Sequence, residues 1–264
     1  MAGRYKDRGR TVPDEAASRN DEMRHKLAGT VMLVLLALVA VAAASFAWFS
    51  IADRAKARSL AMNVTGGNSL RFDLDAHESF DDYVKTLGFD QISNRIQSDL
   101  GVSVDASTLQ PVTTSDYRTF TFEDGSAAEA SSGAYLEFTL HFMSQEDTVV
   151  HLTGADGEDG AAGTRFISNV ETLPLAMRMS FTTDDQTWVY DPNLGDTSSS
   201  DGAATVFGLG SETAEASKMF GLLANTDKPV TVRIWLEGRD PNCTNMLKGA
   251  DYSISLRFEG VEEQ

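Results

Sequence analysis

The side chains best suited to chemistry are few. The chain has four histidines, His25, His77, His141 and His151, and one cysteine, Cys243. A single cysteine excludes an intramolecular disulfide framework and any Cys-based zinc cluster. No P-loop, G-x-S-x-G elbow, H-E-x-x-H pair or S-x-x-K motif occurs. His141 and His151 fall on the polar positions of two consecutive strand-like stretches. A hairpin would set them opposite each other, and two imidazoles could begin a metal site. The plainer reading is a pair of solvated strand histidines. Cys243 has no local nucleophile signature and reads as a small, half-buried side chain. Asp184 and Asp185 could serve a hydrolase. Carboxylate pairs arise by chance among 39 acids, however, and glycosidase chemistry needs a defined separation in space.

The acidic loops offer more. Asp191, Asn193 and Asp196 place oxygen ligands at positions 1, 3 and 6 of one loop. Asp156, Glu158 and Asp159 cluster among glycines in another. Hard cations such as calcium take six to eight oxygens from flexible loops of this kind, so these six residues are the candidate calcium ligands. The bidentate glutamate of an EF-hand is absent, because position 12 counted from Asp191 is Gly202. The competing reading is an acidic, solubilising surface. Asn63-Val-Thr65 and Asn242-Cys-Thr244 fit the glycosylation tripeptide, a short motif that is common by chance.

The elements that must position these residues are mostly strands. In Ala134–Met143, Leu136, Phe138, Leu140 and Phe142 alternate with Tyr135, Glu137, Thr139 and His141, as in a half-buried strand. Thr148–Thr153 continues in kind, and the polar connection Ser144–Asp147 suggests a hairpin. Further strands are expected at Ser59–Thr65, Leu70–Leu74, Thr119–Glu123, Leu175–Thr182, Thr187–Tyr190, Val230–Glu237 and Tyr252–Phe258. Val232, Ile234 and Leu236 share one face; Thr231 and Trp235 share the other. Two stretches have helical spacing: Ser79–Leu100, broken at Gly88, and the weaker Thr213–Leu223. Both read as insertions covering a sheet edge or end. The expected class is all-β: a jelly-roll-like antiparallel β-sandwich with short helical insertions.

Residues 27–52 carry no charge over 26 positions. As a helix they would span roughly 39 Å, enough to cross a bilayer core of about 30 Å. The segment reads as a transmembrane or signal helix, with Trp48 and Phe49 as an interfacial belt. A basic leader, residues 1–26, precedes it and is expected to stay cytoplasmic. The extracellular domain would be residues 53–264. Residues 59–264 carry 12 basic and 33 acidic side chains, net −21, which argues against nucleic acid as a partner.

Ala47, Phe49, Ser50 and Asp53, followed by a short charged spacer and Leu60, Met62 and Val64 in the first strand, form a junction. It resembles that of the TasA/camelysin group of Gram-positive exported proteins, processed by a SipW-type signal peptidase. Val230–Cys243 and Ser253–Gly260 resemble uncharacterised exported proteins with such junctions. The resemblance covers about a quarter of the chain. It implies a jelly roll on the cell surface or in an extracellular matrix, and in some members fibre formation by donation of an N-terminal strand. The long leader and the extended apolar run depart from the pattern. The expected function is therefore an exported cell-surface structural protein, a fibre or biofilm-matrix subunit attached through its N-terminal helix and capable of self-assembly. It would lie at the membrane with its domain outside, or be released to the surface after cleavage. The alternative is a membrane-tethered extracellular binding module for glycan or calcium, without catalysis. Neither reading needs an enzyme.

Overall fold

Period-two alternation becomes two facing sheets. The computed structural model describes residues 30–34, 37, 55–65, 69–104, 108–158, 160–210, 215–244, 247 and 250–262. The chain divides into two compact units, residues 1–52 and 53–264. In the first, residues 30–34 and 37 are helical and exposed. Among the described residues no helix is long and apolar enough to cross a membrane. The rest of the expected membrane helix, and the leader, lie outside the described residues.

The second unit is all-β with few short helices. Its first sheet runs β15 (Lys218–Leu222), β9 (Thr148–Leu152), β17 (Asp251–Glu262), β1 (Ala55–Thr65) and β3 (Thr86–Leu87). Here β10 (Arg165–Ser168) also pairs with β17, and β4 (Thr108–Leu109) with β1. The second sheet runs β13 (Ser198–Ser200), β14 (Thr205–Phe207), β12 (Thr187–Tyr190), β11 (Met177–Thr182), β16 (Lys228–Glu237), β8 (Leu136–Ser144) and β2 (Leu70–Asp73). The short β5 (Pro111–Val112) pairs with β16. A separate ribbon joins β6 (Phe120–Thr121) to β7 (Ala127–Ala128).

The inner faces meet through aromatic rings. Phe258 of the first sheet lies 6.1, 5.1 and 5.7 Å from Phe72, Phe142 and Phe181 of the second, centroid to centroid. These rings join Leu136, Phe138, Leu140, Val232, Ile234 and Leu256 in one core. Helix α1 (Phe89–Leu100) adds Ile92 and Ile96. It starts at Gly88, whose N–H is taken by Gln91 Oε1 at 2.9 Å, and stops at Gly101, which has the left-handed φ of 73°.

Several expectations change. The sheets are mixed rather than purely antiparallel: β1 runs parallel to β17, β14 to β12 and β5 to β16. β8 and β9 are not a hairpin. The chain leaves the second sheet at Ser144 and enters the first at Thr148, and β9 pairs with β15 and β17 instead. Hydroxyls build this arch: Ser144 Oγ meets Thr148 Oγ1 at 2.9 Å, and Thr148 Oγ1 donates to Glu146 O at 2.9 Å. All of β9 is buried, so its alternation does not mark a solvent face. The first half of Ser79–Leu100 forms a short 3-10 turn (Phe80–Asp82) and β3, with only the second half helical. In Thr213–Leu223, Glu215–Ser217 is a short 3-10 turn, but residues 218–222 are strand β15, because Met219, Phe220 and Leu222 reach the core from a bulged edge; residues 213–214 lie outside the described residues.

Candidate functional site

Strand alternation also builds the outer face of the second sheet. Along β11, Met177, Met179 and Phe181 face the core, which sends Arg178 to the other side. Its cross-strand partner is Trp235 on β16. Val189 and Val206, paired between β12 and β14, extend the same face. A large part of this face is covered. The excursion from β5 to β8 lays Val112, Phe120, Ala128, Ala130, Ala134 and Tyr135 over Trp235 as a second core. Phe120 and Trp235 meet edge to face at 5.2 Å. Trp235 is consequently buried, as are Ile234 and Leu236 behind it.

At the margin of this cover lies a cleft of about 420 Å³. Tyr117 forms one wall, with Val189, Val206 and Trp235 beneath and Glu237 and Arg239 at the rim. The Tyr117 ring lies 6.5 Å from Trp235. Its backbone has φ 57°, a conformation uncommon for a bulky residue. Local bonds hold it there. Tyr117 N–H donates to Thr114 Oγ1 at 2.8 Å, and Asp116 Oδ1 accepts from the N–H groups of Arg118 and Thr119 at 2.9 and 2.8 Å. Burial opposes ionisation of Asp116, but those N–H groups, helped by the Thr119 and Thr114 hydroxyls, outweigh it and bring its pKa down to about 2. The Tyr117 hydroxyl donates to Asp201 Oδ2 at 2.5 Å. Burial first, and then Asp201, push that phenol well above its ordinary value, so it remains a donor.

The charged end of the cleft is organised by Arg178, whose side chain is 10% exposed. Its guanidinium donates to Asp240 Oδ2 at 2.5 Å and to the carbonyls of Leu175 and Met177 at 2.7 and 2.9 Å. Its Nε lies 3.1 Å from Asp191 Oδ2. Asp191 Oδ1 accepts Asn193 N–H at 2.8 Å, and Asn193 Nδ2 reaches Asp240 Oδ2 at 3.1 Å. Two expected calcium ligands, Asp191 and Asn193, therefore belong to an arginine lock; Asp196 is exposed. In the other acidic loop, Asp156 accepts Gly163 N–H at 2.8 Å and pairs with Arg165 at 3.1 Å. Glu158 is exposed, and Asp159 lies outside the described residues. Among the described residues, no group of three or more His, Cys, Asp or Glu side chains is placed to hold a metal ion.

The histidines do not face each other, because β8 and β9 belong to different sheets. His141 Nδ1 lies 2.9 Å from Asp227 Oδ2, and Tyr83 Oη donates to the same carboxylate at 2.7 Å. His77 lies edge-on to Tyr83, 5.1 Å away. His151 is buried in the first sheet, and His25 lies outside the described residues. Burial, with Asp240 and Glu237 nearby, raises the Cys243 thiol to about 11, which leaves it a poor nucleophile at neutral pH. Asp184 and Asp185 sit exposed on the turn between β11 and β12. Of the glycosylation tripeptides, Asn242 spends its amide on Asp240 Oδ1 at 2.9 Å, and the Asn63 side chain lies outside the described residues.

No protein-family model, curated protein or solved structure matches the chain. The cleft was not visible in the sequence. Arg178, Trp235 and Tyr117 come from three distant segments. The one local hint was Thr-Ser-Asp-Tyr-Arg-Thr, a run of turn-forming oxygens around an aromatic.

Proposed function

We propose that the chain is an exported cell-surface structural protein. Its apolar N-terminal segment carries it into or across the membrane, and its jelly-roll-like β domain stands outside without catalysis. Copies assemble into a fibre or matrix by exchanging the first strand. One observation carries this reading. β1 begins three residues beyond the apolar run and pairs in parallel with β17 from Lys56↔Asp251 to Thr65↔Glu259. On its other side, β3 and β4 each match only two of its residues. Withdrawing β1 would therefore bare one long row of backbone groups on β17, which the same strand of a neighbour can fill. The exposed Val31, Met32, Leu33 and Val34 of the helical segment fit a lipid or signal-peptide environment.

The test compares chains beginning at Trp48 and at Gly66 by light scattering and electron microscopy. Fibres from the longer chain alone support exchange. Equal assembly by both, or by neither across pH and salt, rejects it. Protease added to intact cells should digest the region after residue 58; digestion only after lysis rejects export.

A further inference from the structure

We propose that the cleft between the 113–119 loop and the outer face of the second sheet binds a neutral carbohydrate chain. At about 420 Å³ the cleft lies within the range of about 300–1,000 Å³ usual for small-ligand sites. Its charges are mixed: Arg178 and Arg239 against Asp191, Glu237 and Asp240. An anion would meet three carboxylates, and a cation would meet Arg239 at the rim. A neutral ligand carrying both donors and acceptors meets neither penalty.

The groups left over by internal bonding point the same way. Arg178 spends most of its donors on Asp191, Asp240 and two carbonyls. By contrast, the exposed Arg239 guanidinium has no partner among the described residues, and it offers five N–H donors in a planar fork. Glu237 accepts from Trp235 Nε1 and Arg239 N–H at 3.1 Å each, which leaves lone pairs on both oxygens. Thr113 also lines the cleft. Vicinal sugar hydroxyls complement such a donor fork beside a carboxylate. Tyr117 supplies the apolar part. The negative face of its ring suits the polarised C–H groups of a pyranose. Its position is set in advance by the Thr114 and Asp116 bonds and the tie to Asp201, so little ordering is required on binding. Self-assembly through β1 is a separate property, and either can fail alone.

The experiment uses the full chain in a zwitterionic, sugar-free detergent and isothermal titration calorimetry. The probes are neutral tetrasaccharides of β-linked N-acetylglucosamine, α-linked glucose and β-linked xylose. Tetragalacturonate and spermine serve as charged competitors. At least one neutral probe should bind at low-millimolar concentration. Tyr117→Ala should weaken it roughly tenfold, the size expected for loss of one aromatic contact; Tyr117→Phe keeps the ring but loses the Asp201 tie and should weaken it less. Arg239→Gln, at an exposed site where folding is not at risk, should weaken it severalfold. Absence of binding by every neutral probe overturns the proposal. So does undiminished binding by Tyr117→Ala or Arg239→Gln, or preferential binding of either charged probe.

Discussion

Two acidic loops, 154–163 and 191–196, close on buried arginines in different ways. The 191–196 loop meets Arg178 with a carboxylate, and Asp240 adds a second. The 154–163 loop meets Arg257 with backbone: the guanidinium donates to Ala161 O at 3.0 Å, and Gly157 lies directly against it. A Cβ on Gly157 would stand 2.0 Å from Nη1 of Arg257, so only glycine permits that approach. The 191–196 loop adds a carboxylate to an ionic lock; the 154–163 loop wraps Arg257 with backbone, while the Asp156 charge also acts on it. An acidic loop is not by itself a cation site, because a neighbouring strand can supply the cation. Its acidity also does not reveal which atoms of the loop will hold that cation.

The comparison yields graded tests. Arg178→Met removes the charge from between two carboxylates in a mostly buried place. It should cost about 3–5 kcal/mol by urea unfolding, and a loss under about 1 kcal/mol would mean the lock contributes little. Asp240→Asn should cost about 1.5–3 kcal/mol at neutral pH, as expected for hydrogen bonds to a charged group. Burial opposes ionisation of Asp240, yet Asn242 and Arg178 hold its pKa below the usual carboxylate value. A folded pKa below the unfolded one stabilises above about pH 4 and is lost as pH falls through the folded value. The gap between wild type and Asp240→Asn should therefore narrow below pH 4. A gap that widens in acid would contradict the lock.

Gly157→Ala must push the buried Arg257 off Ala161, and should cost about 1–2 kcal/mol through overpacking. A neutral result would show that the wrap relaxes freely. The smallest effect is expected at Asp156, which is exposed and already engaged by Gly163 and Arg165. Asp156→Asn and millimolar calcium should both leave the melting temperature unchanged. A calcium-dependent rise abolished by Asp156→Asn would restore cation binding to that loop, through linkage.

Element types were largely legible. The alternation in Ala134–Met143 matches β8, with Leu136, Phe138, Leu140 and Phe142 all in the core. Val232, Ile234 and Leu236 likewise share the inner face of β16. Pairing was less legible. A polar four-residue connection permits a hairpin or an arch, and the choice lies in which sheet receives the next strand. Period counting also failed where both faces are buried. Trp235 faces away from the main core yet is 1% exposed, because Phe120 and Tyr135 return from a distant segment to cover it.

Composition, charge and periodicity determined by themselves an acidic, strand-rich domain behind an uncharged apolar run, since each depends on local order along the chain. Only the tertiary structure decided that His141 and His151 part into different sheets. It likewise decided that the acidic loops close on Arg178 and Arg257, and that Tyr117, Trp235 and Arg239 line one cleft. Those relations join residues far apart in sequence. They follow from cross-strand register and from burial that forces each charge to find its nearest opposite partner or carbonyl, and neither is written in any short stretch of the chain.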